Sequence, residues 1–244
     1  VKPDDAIVNP VKGKYPPTVG PLAIMVATET DLKALRSLLQ LPESNCRRLH
    51  LSRLYTDDPQ AACYSVTGPM MGAPYATMLL ESLIVWGAQQ IVFLGWCGAI
   101  VPHLSAGDII LPGEAMIEEG TSRLYEQKDS GTVKASDAVT ALLRGALEQA
   151  DCPFVEGKIW TTDAIYRETI EKVKYYQHRQ ALAVEMELSA LFSVGRFRKV
   201  AVGALLVVSD ELGNYQWRPG FQNERFKRGR KAVHEVLKKL CLKI

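Results

Sequence analysis

The sequence predicts an α/β domain with a central, mostly parallel sheet covered by helices on both faces. Three observations carry that expectation. Short apolar runs with few polar positions alternate with stretches of helical periodicity, the pattern of strands buried on both faces. The chain has 244 residues, enough for one large domain with a sizeable core. Unusual residues at Gly95–Gly98, Thr161–Asp163 and Ser209–Asp210 end apolar runs, and such sheets bind ligands at the carboxyl ends of their strands.

The elements follow in order. Residues 1–20 contain Pro3, Pro10, Pro16 and Pro17 with little periodicity, which predicts an extended arm packed on a surface or on another subunit. "PLAIMVA" (21–27) reads as a strand, and 29–40 as a helix with Leu32, Leu35, Leu38 and Leu39 on one face. "AACYSVT" (61–67) is a second strand; the turn "GPMMGAP" then leads into an apolar helix reaching about Trp86. "QIVFLGW" (90–96) and "DIILPGEAMI" (108–117) are further strands, and 118–135 reads as a surface loop. A helix at 136–150, a strand "FVEGKIW" (154–160), a helix at 187–196, the buried strand "AVGALLVVSD" (201–210) and a helix at 223–242 complete the chain. No repeat or boundary divides residues 21–244, which form a single domain.

Composition narrows the function. The formal net charge is +2, so nothing global argues for nucleic acid. The basic run "RFKRGRK" (225–231) reads as the solvated face of a terminal helix packed through Val233, Val236, Leu237 and Leu240. No apolar run approaches the roughly 20 residues that span a bilayer, and no secretory signal stands out. Cys46, Cys63, Cys97, Cys152 and Cys241 are scattered; reduced thiols in a cytoplasmic protein without a metal site are the simplest reading. His50, His103, His178 and His234 form no cluster, and no serine lies in a G-x-S-x-G elbow, which argues against a triad hydrolase.

Several segments carry chemistry. In "FLGWCGAI" (93–100) an apolar run meets a glycine, a tryptophan, a cysteine and a glycine. Strand-then-glycine loops often present backbone N–H groups to an anion, but Trp96 would fill the space. "AVEMELSALF" (183–192) sets Glu185 and Glu187 around Met186. Either this is a solvated helix start, or a carboxylate accepts two adjacent hydroxyls with a thioether against a sugar face. "VVSDEL" (207–212) ends a strand with Asp210, a helix cap or a general acid. Alone, "TTDAIYRE" (161–168) is a turn and "EEGTS" (118–122) a loop.

Taken together, "TGPMMGAP", "GWCGAI…GDIILP", "EGTS", "TTDAIY", "VEMELSALF" and "VVSD" occur in an order and spacing that resembles the nucleoside phosphorylase and nucleosidase family. That family includes uridine phosphorylase, hexameric purine nucleoside phosphorylase and methylthioadenosine/S-adenosylhomocysteine nucleosidase. The resemblance covers roughly residues 21–215. It implies a three-layer α/β/α fold, cleavage of an N-glycosidic bond, no cofactor, and a homo-oligomer, a dimer or a trimer of dimers. By the same resemblance Glu187 holds ribose hydroxyls, Met186 packs on the sugar, and Asp210 protonates or hydrogen-bonds the purine N7. Val184 and Ile165 line the base pocket. Glu185, Thr162, Ser209, Gly98 and Trp96 are further candidate substrate-binding residues. The Ser-Asp pair favours a purine-type base.

The loop at Gly95 matches the family's phosphate-binding loop, where phosphorylases carry an arginine two residues before the first glycine and Ser or Thr directly after it. Phe93 and Trp96 stand there instead. The stretch "ATETDL" (27–32) lacks the glycine and arginine of the second phosphate anchor. Arg48 matches a third, contributed across a dimer interface. A buried phosphate without paired donors is costly. Nucleosidase members lack these arginines and place a glutamate near the attacking water, and Glu29 matches it; Glu29 also suits a first helical turn. The expectation is hydrolysis of a purine-type nucleoside. Phosphorolysis, with phosphate as co-substrate, is the alternative, and a nucleoside-binding protein without catalysis is a third reading.

Overall fold

The computed structural model describes residues 6–126 and 131–243. Its centre is β5 (Gln90–Ala99), whose apolar run Ile91–Leu94 is buried. Along one edge, β10 (Ala201–Glu211) pairs with it in parallel from end to end, with a bulge between Val208 and Asp210. The other edge is shared. β1 (Leu22–Val26) pairs with Gln90–Leu94 in parallel, and β9 (Ala181–Glu185) pairs with Gly98 and Ala99 in the opposite sense. Between them, Gly95–Cys97 face no strand on that edge. The strand partners part there, the kind of position at which α/β sheets bind ligands.

Beyond β1 the sheet continues through β4 (Tyr64–Gly68), parallel to β1, into an antiparallel hairpin of β3 (Ser52–Thr56) and β2 (Cys46–Leu49). On the other side β6 (Ile109–Ile117) joins β10, and β8 (Val155–Thr161) links β6 to β9 in parallel. Because β5 pairs with both β10 and β9, the strands β5, β10, β6, β8 and β9 close into a ring. The sheet is mixed, and its long ladders are parallel, as expected of a mostly parallel sheet.

Helices cover both faces. α2 (Ala73–Trp86) and α6 (Leu188–Arg198) pack together on one, around Phe93, Leu188, Leu191 and Phe192. α1 (Glu29–Leu38), α4 (Asp137–Gln149) and α7 (Glu224–Cys241) lie on the other, around Leu35, Leu143, Phe226 and Leu237. α5 (Ile170–His178) packs on β9. The basic run forms part of α7, where Phe226 and Gly229 are buried and Arg225 pairs with Asp108, so the helix is packed as expected. No described helix is long and apolar enough to cross a membrane.

The N-terminal arm touches its own chain at Lys12 and Tyr15, while Ile7, Val8 and Val11 are exposed. The Trp86 indole N–H donates to Lys12 O and Arg47 to Tyr15 O. Two expectations need correction. Gly95–Gly98 is not a loop: β5 runs on to Ala99 because β10 pairs along its whole length. Nor is 118–135 a plain surface loop. Glu119 and Ser122 are buried, Ser122–Tyr125 form the short helix α3, and β7 (Thr132–Lys134) adds to β6; residues 127–130 lie outside the described ones. The sequence also missed the β2–β3 hairpin, α5 and the two-residue β11 (Arg218–Pro219) beside Asp210.

Candidate active site

Glu187 stands just before α6, where β9 leaves the ring. It is 6% exposed, and its Oε1 accepts the Gly72 N–H at 2.6 Å. Gly72 precedes α2 at φ 81°, a conformation glycine adopts freely, so the "GPMMGAP" turn meets the "VEME" segment through one backbone donor. Burial raises the Glu187 carboxyl above its ordinary value, against the Gly72 and Met186 N–H groups. Met186 beside it is half-buried.

Glu185 is bound differently. Its Oε1 accepts the Thr161 hydroxyl at 2.5 Å, and its Oε2 accepts the N–H groups of Glu187 and Leu188 at 2.7 and 2.8 Å. The carboxylate therefore caps α6 and ties it to β8. Burial, then the charge of Glu187, raises its proton affinity. Thr162 donates its N–H to Glu185 O, which brings the end of β8 to the same corner.

Asp210 approaches from the other wall. Ser209 Oγ lies 2.6 Å from Asp210 Oδ1 and 3.2 Å from Cys97 O. The Trp217 indole N–H donates to Asp210 Oδ2 at 2.8 Å. Gly98 pairs with Asp210 on one side and Val184 on the other. A β-carbon at Gly98 would stand 2.5 Å from Leu212 Cδ1, 3.2 Å from Asp210 Oδ2 and 3.4 Å from Val184 Cγ1, so glycine keeps this contact open. Ile165 sits exposed on the turn after β8. Glu168 ends that turn. Burial, then the charges of Asp210 and Glu118, pushes its carboxyl up to about 7.

β5, β8, β9 and β10 thus bring Gly98, Thr162, Val184, Glu185, Met186, Glu187, Ser209 and Asp210 to one end of the ring. Three expected residues, Arg48, Glu29 and Trp96, lie elsewhere. Arg48 is on the edge strand β2, its Nε donating to His50 O. Glu29 opens α1 with its carboxylate paired to Arg53 and, at 3.3 Å, Lys33. Burial opposes ionisation of Glu29, but Arg53 and Lys33 outweigh it and hold the carboxyl below its usual value, making it a weaker base.

The family model of the Phosphorylase superfamily matches residues 21–242. The chain belongs to this superfamily. Within the phosphorylase superfamily, it is 34% identical over 142 residues to a guanosine phosphorylase of Halorubrum lacusprofundi, covering 58% of each chain. It is 33% identical over 153 residues to a DeoD-type purine nucleoside phosphorylase of Brevibacillus brevis, covering 61% of this chain and 63% of that one. The matched segments thus span about six tenths of these relatives. Among solved structures, uridine phosphorylase of Vibrio fischeri superposes with a TM-score of 0.76 at 24% identity, over 91% of this chain and 92% of that one. AMP nucleosidase of Bacteroides thetaiotaomicron does so at 0.70 and 22%, over 91% and 90%. Both share the fold of this superfamily member.

Trp96, at the parting of β1 and β9, points toward α1 and α7 rather than to Asp210. Its indole N–H donates to Asp31 Oδ2 at 2.6 Å. Its ring meets Phe226 edge-on at 5.0 Å and lies 6.1 Å from Phe221, which in turn lies 6.5 Å from Trp217. No local motif marks Gly72 as a donor, or Trp217, Glu168 and Asp31 as neighbours of these residues. "TETD" (28–31) is legible as a helix cap, but nothing local names its distant partners.

Proposed function

We propose that this superfamily member cleaves the N-glycosidic bond of a purine-type nucleoside between Glu187 and Asp210. The observation that supports it most is the division of labour in the "VEME" segment. Glu185 is consumed by three donors of its own chain spread over both oxygens, whereas Glu187 takes the Gly72 N–H on Oε1 with the Met186 N–H beside it. Glu187 Oε2 is then available for ribose hydroxyls, with the Met186 thioether beside the sugar. As the bond breaks, positive charge develops on the sugar and negative charge on the leaving base. A carboxylate near ribose stabilises the first, and a hydrogen bond or proton from Asp210 the second. The purine-type base rests on the Ser209–Asp210 pair and on the names of the sequence relatives.

For the acceptor, the relatives' names support phosphate over the water expected from the sequence, and so does the occupied carboxylate of Glu29. The surroundings of Trp96 support water. Neither route calls for a metal or organic cofactor, since these side chains handle the charge and the proton. The active unit is proposed to be a homo-oligomer, with Arg48 reaching a neighbouring copy.

Release of free base from a panel of purine and pyrimidine nucleosides tests the reading. Release from purine nucleosides, abolished by Glu187→Gln, is expected. Absence of release from every nucleoside, with binding retained, would leave a nucleoside-binding protein instead.

A further inference from the structure

Asp31 is 1% exposed, yet it gathers more donors than any other described carboxylate. The Trp96 indole N–H donates to Oδ2 at 2.6 Å, and the Thr28 hydroxyl to the same oxygen at 2.8 Å. Arg230 reaches Oδ1 through Nε at 2.8 Å and through its terminal nitrogen at 2.6 Å, and His234 Nε2 lies 2.8 Å from it. Arg230 also lies over the Trp96 and Phe226 rings, 5.1 and 5.5 Å from their centroids. Asp31 sits in the first turn of α1, directly after β1, and is bonded to Trp96 of the stretch Gly95–Cys97 where β1 and β9 part. The first turn of a helix that follows a parallel strand attracts anions through its N–H groups and dipole. Here an arginine, an indole N–H and a hydroxyl converge on one negatively charged group at that place, and the group belongs to the chain.

We infer that Asp31 is a built-in counter-anion that fills the acceptor-anion position at the head of α1, so that the acceptor of the cleavage reaction is water. The inference rests on the glycosidic cleavage proposed above. A phosphate placed there would have to displace a buried carboxylate already bound to Arg230 and Trp96, and would meet its charge. Burial resists ionisation of Asp31, but His234 and Arg230 outweigh it and hold the carboxyl below its ordinary value, so the negative charge persists at neutral pH. In the reaction the C1′–N bond breaks with its electron pair passing to the base. A water oxygen bonds to C1′, and one water proton is balanced by the proton the base gains through Asp210. The products are free base and free sugar.

Base release by the wild-type protein is measured in phosphate-free buffer and in saturating inorganic phosphate at constant ionic strength, with the sugar product identified. Rates that do not respond to phosphate, with free ribose formed, are expected. Release that requires phosphate and forms ribose 1-phosphate overturns the inference while leaving the proposed cleavage intact. No release at all counts against the cleavage, and thermal denaturation then decides. Phosphate should leave the wild-type Tm unchanged against chloride. It should raise that of Asp31→Asn, whose Arg230 lacks a counter-anion, by a few degrees at about tenfold above Kd. Equal stabilisation of both proteins overturns the inference. So does phosphate stabilisation of the wild type alone, should the variant not fold.

Discussion

Gly98 and Asp210 face each other across the β5–β10 ladder, and a β-carbon on the glycine would stand 3.2 Å from the aspartate Oδ2. The same β-carbon would press on Leu212 at 2.5 Å. Gly98→Ala is expected to cost about 1–3 kcal/mol through overpacking and to lower kcat/KM by shifting Asp210. Denaturant unfolding and steady-state kinetics check both. An alanine variant with wild-type rates would show that the base does not approach through this contact.

Glu185 and Glu187 should separate stability from activity. Glu185→Ala strips the Thr161 hydroxyl and two N–H groups of their acceptor, and should cost about 2–4 kcal/mol in unfolding free energy. Glu187→Gln keeps an acceptor for Gly72 and removes a buried carboxyl. Its Tm should hold or rise while turnover falls about 100-fold or more. The reverse assignment of losses would exchange the two roles.

Asp210→Asn should reduce turnover about 100-fold or more, with the circular dichroism of the wild type retained. The deficit should shrink for nucleosides whose bases are better leaving groups, because these need less help from a proton. A deficit that is the same for every leaving group would remove Asp210 from base departure.

The Trp217 indole holds Asp210 Oδ2 in the free protein. A base that takes that oxygen must displace the indole. Trp217→Phe deletes a hydrogen bond worth about 1 kcal/mol, so KM should fall about fivefold, and the quenching of tryptophan fluorescence by substrate should weaken. A higher KM would show that the indole positions the base instead.

Glu168 gives stability a pH signature. Its carboxyl is pushed from 4.5 up to about 7, so the native state binds the proton more tightly than the unfolded chain does. The associated stability is fully present below about pH 4.5 and is lost as pH rises toward 7. Glu168→Gln should flatten the fall in Tm between pH 5 and 7. Parallel wild-type and variant curves would sink this account.

Much of the frame is legible in the residues. The buried runs at 22–26, 91–94 and 202–208 are apolar enough to name themselves as strands, and the long helices follow from their periodicity. The short edge elements are not. β2 carries two arginines in four residues, and β11 is two residues long. Their pairing comes from neighbours rather than from pattern. Likewise "VEME" and "SD" mark chemistry, but not which glutamate is spent on capping α6. That depends on Thr161 standing on the adjacent strand.

By itself, then, the sequence determined the α/β layering and the residue types that mark the candidate site, because burial periodicity and short motifs are local properties. The tertiary structure alone decided that Trp96 lies in a continuous strand and that Asp31 meets Arg230 and His234, 199 and 203 residues further along the chain. A buried carboxylate must find compensating donors wherever the fold brings them, and sequence spacing carries no record of partners that distant.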